Sequence, residues 1–412
     1  MNLRAEMKKT LCILMAGGKG ERLYPLTKVR AKPSVRFGGI YRIVDFTLSN
    51  CLNSDIRKIY VLTQYRSVSL DRHIRLGWNI FNHELDEFIE CIPPQQRNVD
   101  RWYRGTADSI YQNIHILQRE RPERVLVLSG DHVYKMNYND MLAFHIEKGA
   151  EATVAGVEVP RSQASAFGII GCDQDFRIGD WEEKPSDPKP VPGKPDVSFV
   201  SMGVYIFNTE VLVMSVIADA KKSSSSHDFG KDVIPAMIES NRVFVHSFAE
   251  PNNISGRYWR DIGTLDAYWE ANMDLCSDRP HCDLYDKGWP IRTYQEQFPP
   301  ARIVSNPGKG RGKMGEVVNS LVSGGCVIAG GKVKHSVLSH QVHVLEGALV
   351  EDSVLLDSVV VGSGSRIRRA IIDQEVVVPD GFDIGYDSEL DSKRFTISPG
   401  GVTVVPRGIR LD

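Results

Sequence analysis

Lys19 and Arg22 stand in the run Ala16-Gly17-Gly18-Lys19-Gly20-Glu21-Arg22, which follows at once on the apolar stretch Leu11-Cys12-Ile13-Leu14-Met15. Glycines at such a place let backbone N–H groups approach phosphate oxygens, and the two cations add the charge that a triphosphate needs. The spacing matches neither the dinucleotide fingerprint nor the P-loop, and a plain tight turn fits the same residues. Further along, Gly130-Asp131-His132 follows the apolar residues 125–129, where ligands of open α/β sheets bind. A second carboxylate, Asp261, lies in Tyr258-Trp259-Arg260-Asp261-Ile262-Gly263. Two aspartates and the oxygens of a nucleotide could complete an octahedral Mg²⁺ site, because this ion takes hard oxygen ligands and keeps several waters. Either aspartate alone also reads as a cap or turn residue.

Glu183-Lys184-Pro185 sets an acid and a cation before a proline that enforces extended or turn geometry. A lysine there could clamp a sugar phosphate while a glutamate accepts from sugar hydroxyls, and a solvated charge cluster is the alternative. Trp102-Tyr103-Arg104-Gly105-Thr106 joins ring surface, a cation and a glycine ahead of a helical pattern, with Thr106 as the expected N-cap. Arg30, Lys32, Arg36 and Arg42 form a basic stretch suited to an anion, or to a solvated face.

The elements that must hold these residues are legible as alternating apolar and amphipathic runs over residues 11 to about 280, the pattern of an α/β sheet covered by helices. Strands are expected at 11–16, 59–63, 125–129, 152–157, 203–207 and 243–248. After Trp289-Pro290, Pro299-Pro300 and a glycine-rich connector at 308–315, the period changes: Leu349, Leu355, Val361 and Ile367 recur every six residues. A β-branched six-residue repeat fits short parallel strands stacked into a β-helix. The expected division is therefore a catalytic domain over 1–285, a linker over 286–315 and a β-helix over 316–412.

With 412 residues and a formal net charge of -2, the chain has room for two cores and lacks the basic excess of a general nucleic-acid or membrane-surface binder. Its seven scattered cysteines include no C-x-x-C pair, so a reducing cytoplasm is the expected setting. No apolar run approaches the length of a membrane span.

Together the blocks Arg30-Ala31-Lys32-Pro33, Thr63-Gln64-Tyr65, Trp102 to Asp108, Gly130-Asp131-His132, Phe167-Gly168, Glu183-Lys184-Pro185, Ser201-Met202-Gly203, Ser226-His227-Asp228-Phe229-Gly230 and Tyr258 to Thr264 resemble the glucose-1-phosphate adenylyltransferases, the ADP-glucose branch of the sugar-phosphate nucleotidyltransferases. The resemblance covers nearly the whole chain. It implies a Rossmann-like domain with a mainly parallel sheet, followed by a left-handed parallel β-helix, assembled as a homotetramer. It also implies the reaction of ATP with α-D-glucose 1-phosphate to ADP-glucose and pyrophosphate, with Mg²⁺ as cofactor, in bacterial glycogen synthesis.

By motif position the resemblance puts Gly17, Gly18, Lys19, Arg22, Lys32, Gln64, Gly105 and Thr106 on ATP, with Lys19, Arg22 and Asp131 catalytic. Asp131 and Asp261 would hold the metal. Tyr103, Gly168, Glu183, Lys184, Ser201 and Asp228 would face glucose 1-phosphate. Arg30, Arg36, Arg42 and Arg119 would serve a regulatory anion site for a sugar-phosphate activator and for AMP or phosphate as inhibitor. Val29 and Gln374 depart from basic residues frequent in the family, which implies an activator other than fructose 1,6-bisphosphate, or weak regulation.

Overall fold

A computed structural model describes residues 2–95, 102–191, 193–248, 258–305 and 314–411. The first domain is built on a nine-stranded mixed sheet. At its centre Thr10–Ala16 runs parallel to Lys58–Thr63 on one side and to Arg124–Ser129 on the other, and Val197–Asn208 joins the last of these antiparallel. Ala152–Pro160 pairs with Val197–Asn208 and carries Val243–Ser247 as a parallel neighbour. Successive side chains of the first strand feed two different cores. Cys12 and Leu14 point into one with Val61 and Leu126, while Leu11 and Ile13 point into the other with Tyr60 and Val127. A strand buried on both faces needs the unbroken apolar run seen here, where a half-exposed strand would alternate.

The helix expected after Gly105 forms, with a difference at its start. Gly105 takes the N-cap position, and the helix Thr106–Gln112 is interrupted at Asn113 before Ile114–Glu120 continues. The Thr106 hydroxyl is drawn away from capping because it donates to Asp228 Oδ2 at 3.0 Å and accepts from the Phe229 N–H at 2.9 Å. Gly105 is required by close approach, since a Cβ there would lie 2.3 Å from the His227 carbonyl oxygen.

The second domain is a left-handed parallel β-helix of three sheets, each built from one short strand per coil. From Lys332 onward its coil is 17 residues long, as in the Lys334 and Glu351 pair one coil apart, after a first coil of 16 between Glu316 and Lys332. The inward positions are therefore spaced six, five and six: Val333, Leu338, Val344, Val350, Leu355, Val361, Ile367 and Ile372 are all fully buried. A strict six-residue count drifts off this row, which is why Val360 is only half-buried and Arg366 points to solvent. The β-helix sheet begins inside the stretch expected as linker: Arg302–Val304 pairs with Val327–Ala329. Residues 306–313, with most of the glycine-rich connector, lie outside the described residues.

One apolar core spans the junction. Leu26, Val35, Phe37 and Tyr268 from the first domain pack with Val337, Val354, Ile371 and Val402 from the β-helix. Two buried ion pairs reinforce it, Arg30 Nη2 to Asp373 Oδ1 and Arg36 Nε to Asp357 Oδ2, both at 2.9 Å. Among the described residues no helix is long and apolar enough to cross a membrane.

Candidate active site

The glycine turn leaves the carboxyl end of Thr10–Ala16 and closes into the 3₁₀ turn Glu21–Leu23. Gly20 adopts φ +62°, a conformation glycine takes without strain, and its carbonyl accepts from the Thr27 hydroxyl at 2.9 Å. Lys19 stays largely in solvent, 3.6 Å from Glu21 and with its ammonium 5.4 Å from the centre of the Tyr65 ring. Arg22 reaches toward Asp261: a Cβ at Gly263 would meet Arg22 Nη2 at 3.1 Å and Asp261 Oδ2 at 2.7 Å.

Asp131 and Asp261 converge although they are far apart in the chain. His132–Tyr134 pairs antiparallel with Trp259–Asp261, so Asp261 stands directly across from His132. Between the two carboxylates lies the ammonium of Lys32, 2.8 Å from Asp131 Oδ2 and 3.2 Å from Asp261 Oδ1, on a side chain only 8% exposed. Burial alone would raise the Asp131 carboxyl, but the charge and hydrogen bond of Lys32, together with His132 and the hydroxyl of Ser129, outweigh it and hold the group well below the usual carboxylate range. Burial likewise pulls Lys32 down, and the two carboxylates more than offset it, so its ammonium is held above the ordinary lysine value.

One potential ligand was not assigned from sequence: His132 Nε2 is 3.5 Å from Asp131 Oδ1 and 3.6 Å from Asp261 Oδ1. Its other nitrogen is buried without a hydrogen-bond partner. The only signal in the sequence was adjacency to Asp131, which does not say which way the ring turns. Ligand atoms of Asp131, His132 and Asp261 all lie within 4.8 Å of one another. Two carboxylates on this scale, beside a cavity open to phosphate oxygens, are a donor set that fits Mg²⁺.

A cavity of about 700 Å³ opens beside these groups, lined by Gly17, Gly18, Lys19, Arg22, Lys32, Gln64, Tyr103, Gly105, Thr106, Asp131 and Asp228 among others. Gly17 passes close to Gln64, so that a Cβ there would sit 3.0 Å from the Gln64 Cβ. Tyr103 and Asp228, expected on the sugar side, line this same cavity. The Tyr103 hydroxyl accepts from Asn113 at 3.0 Å. Asp228 Oδ1 caps the following turn by accepting from the Gly230 and Lys231 N–H groups, at 3.0 and 3.2 Å.

The remaining sugar-side residues form a neighbouring group outside that lining. Gly168 faces Glu183 across adjacent strands, and a Cβ on Gly168 would meet Glu183 Oε2 at 2.9 Å. Lys184, half in solvent, lies 3.4 Å from Glu183 Oε1. Ser201 is two residues from Gly203, whose absent Cβ would stand 3.6 Å from His132 Cε1 and so ties this strand to the carboxylate pair.

Of the four arginines expected to share an anion site, Arg36 and Arg42 stand directly opposite each other on paired strands, Arg30 lies close enough for its charge to act on Arg42, and Arg119 is held by other partners. Arg30 and Arg36 are committed to aspartates of the β-helix. Arg42 donates to the Ser69 carbonyl at 3.1 Å, and burial lowers its guanidinium to about 10. Arg119 instead donates to Glu120 at 2.9 Å and lies over the Tyr60 ring. Gln374 donates to Asp357 Oδ2 at 2.6 Å, the oxygen that also takes Arg36.

Residues 11–278 match the family model described as nucleotidyl transferase, and 299–405 match the GlmU-like, C-terminal hexapeptide model. Glucose-1-phosphate adenylyltransferase 2 of Vibrio cholerae is 50% identical over 98% of this chain and 100% of its own length. The glucose-1-phosphate adenylyltransferase of Rhodopirellula baltica is 50% identical over 98% of this chain and 91% of its own, and that of Hydrogenovibrio crunogenus 49% over 97% and 94%. A glycine turn lining the cavity, a carboxylate pair beside it and likeness over nearly the whole chain agree: this chain belongs to the glucose-1-phosphate adenylyltransferases of the nucleotidyl transferase family.

Proposed function

We propose that this protein joins ATP and α-D-glucose 1-phosphate into ADP-glucose with release of pyrophosphate, supplying the glucosyl donor for bacterial glycogen synthesis. The observation that carries the reading is the convergence of Asp131 and Asp261 on Lys32 beside a cavity that begins at the glycine turn. The triphosphate lies along Gly17 and Gly18, whose backbone can approach its oxygens, while Lys19 and Arg22 neutralise the charge that builds on the departing pyrophosphate. A phosphate oxygen of glucose 1-phosphate attacks the α-phosphorus in line, so no covalent enzyme intermediate is needed. Asp131 and Asp261 would hold Mg²⁺, which when bound supplies Lewis-acid polarisation and charge neutralisation at the phosphates. Glu183 and Lys184 orient the sugar phosphate, with Gly168 and Ser201 shaping the floor beneath it.

The test is pyrophosphate release with each nucleoside triphosphate in turn. With glucose 1-phosphate present, ATP gives turnover while UTP, dTTP and GTP give little; preference for one of the latter overturns the assignment. Lys184→Gln raises the KM for glucose 1-phosphate by roughly 10- to 100-fold, the worth of a hydrogen bond to a charged group. Its KM for ATP stays within about twofold, because the side chain meets only the sugar phosphate in the ground state. A defect confined to ATP would contradict that role.

The same reading extends to assembly, setting and control. Val377, 59% exposed, stands with the part-exposed Val327 and Val360 on the outward row of one β-helix sheet, which supports a homotetramer that covers this flank. A cytoplasmic setting is supported by the balanced charge and the free cysteines. Regulation by a sugar phosphate and by AMP or phosphate is supported by a second cavity of about 560 Å³ whose lining includes Lys19, Arg30 and Arg66.

A further inference from the structure

Lys32 is placed where a cation belongs. Its ammonium contacts Asp131 Oδ2 and Asp261 Oδ1, one oxygen from each carboxylate. The remaining Asp131 oxygen accepts from the Ser129 hydroxyl and faces His132, so the oxygens turned toward each other are already satisfied by a single positive charge. A divalent ion held by Asp131 and Asp261 would draw on these same two carboxylates, which the ammonium now engages. Both could stay only with three positive charges against two negative ones, next to Lys19 and Arg22, which line the same cavity.

The side chain also has somewhere to go. Lys32 is carried on the short 3₁₀ turn Lys32–Ser34 and lines the cavity itself. Gly20 packs against its stem without a side chain, at a point where a Cβ would stand 3.1 Å from the Lys32 Cβ. A four-carbon stem with a compact charge can swing where a planar, forked guanidinium would be held.

We propose that Lys32 is the resident counter-cation of the Asp131 and Asp261 pair, and that it yields this position when a divalent cation binds, its ammonium then turning into the cavity toward the phosphates. Loading the metal and delivering a lysine to the nucleotide are on this account one exchange. The proposal rests on the reading that the two aspartates take a divalent cation.

The test is Mn²⁺ binding to the nucleotide-free full-length protein, followed by the electron-paramagnetic-resonance signal of the free ion. Lys32→Met and Lys32→Gln bind one Mn²⁺ about tenfold or more tightly than the wild type, because the carboxylates have lost their internal partner and gain most from a new one. Adding Asp261→Asn to either variant abolishes that binding. Equal affinity in wild type and variants, still sensitive to Asp261→Asn, overturns the exchange and leaves the cation reading intact. No stoichiometric site in any of them overturns both.

A second measurement needs no variant: acylation of wild-type lysines by an amine-reactive reagent, read by mass spectrometry. Lys32 is protected without metal and becomes labelled when Mn²⁺ is added, whereas unchanged protection overturns the proposal.

Discussion

Asp131→Asn lowers kcat by roughly three orders of magnitude or more, a barrier increase of about 4 kcal/mol, while the protein keeps its fold. The amide has the shape of the carboxylate but not its charge, and Lys32 retains Asp261 at 3.2 Å as an ionic partner. The expected loss therefore falls on stabilising the adenylyl group in transfer rather than on packing, and it appears in kcat and kcat/KM alike. Steady-state pyrophosphate release beside a thermal melt separates the two effects. Near-normal turnover in the variant would remove Asp131 from the site.

The second large effect is on stability. Asp373→Ala costs about 3–5 kcal/mol, because it leaves the Arg30 guanidinium charged, buried and without its partner. Both members of this pair are nearly inaccessible, with side chains 5% and 2% exposed, and Arg30 Nη1 already lacks a hydrogen bond. Urea unfolding measures the loss. The double variant Arg30→Met/Asp373→Leu recovers most of it, since an apolar pair of similar volume removes the stranded charge instead of exposing it. If the double variant is no more stable than Asp373→Ala, the pair is not what holds the junction.

Arg30 also shows how the two domains are coupled. It precedes Lys32 by two positions, and the intervening Ala31 N–H is bonded to the Arg66 carbonyl at 3.3 Å. The residue that meets the β-helix thus stands two positions from the lysine between the two carboxylates.

Several features were legible in the chain before any coordinates. The apolar run ending in Gly17-Gly18-Lys19-Gly20 is a strand and a glycine turn by local chemistry alone, because glycine conformations and continuous hydrophobicity depend on near neighbours. The β-helix announced itself by its repeat, though its coil of 17 residues was blurred into a period of six, since three unequal sides average just below that number. The helix at Gly105 was visible, but its cap was not. Thr106 has the chemistry of an N-cap, and only the arrival of Asp228 and Phe229 from a distant segment reassigns its hydroxyl.

What the residues by themselves determined, then, is the architecture and the family: a glycine turn at the end of a buried strand, an α/β sheet, a stacked β domain and the motif blocks of the glucose-1-phosphate adenylyltransferases. Tertiary structure alone decided which charges meet. It set His132 across from Asp261, split Arg119 from the other arginines, gave Arg30 and Arg36 to the β-helix and put Lys32 between Asp131 and Asp261. The physical reason is range: backbone preference and hydrophobic period act over a few residues, whereas an ion pair depends on where strands remote in sequence come into register.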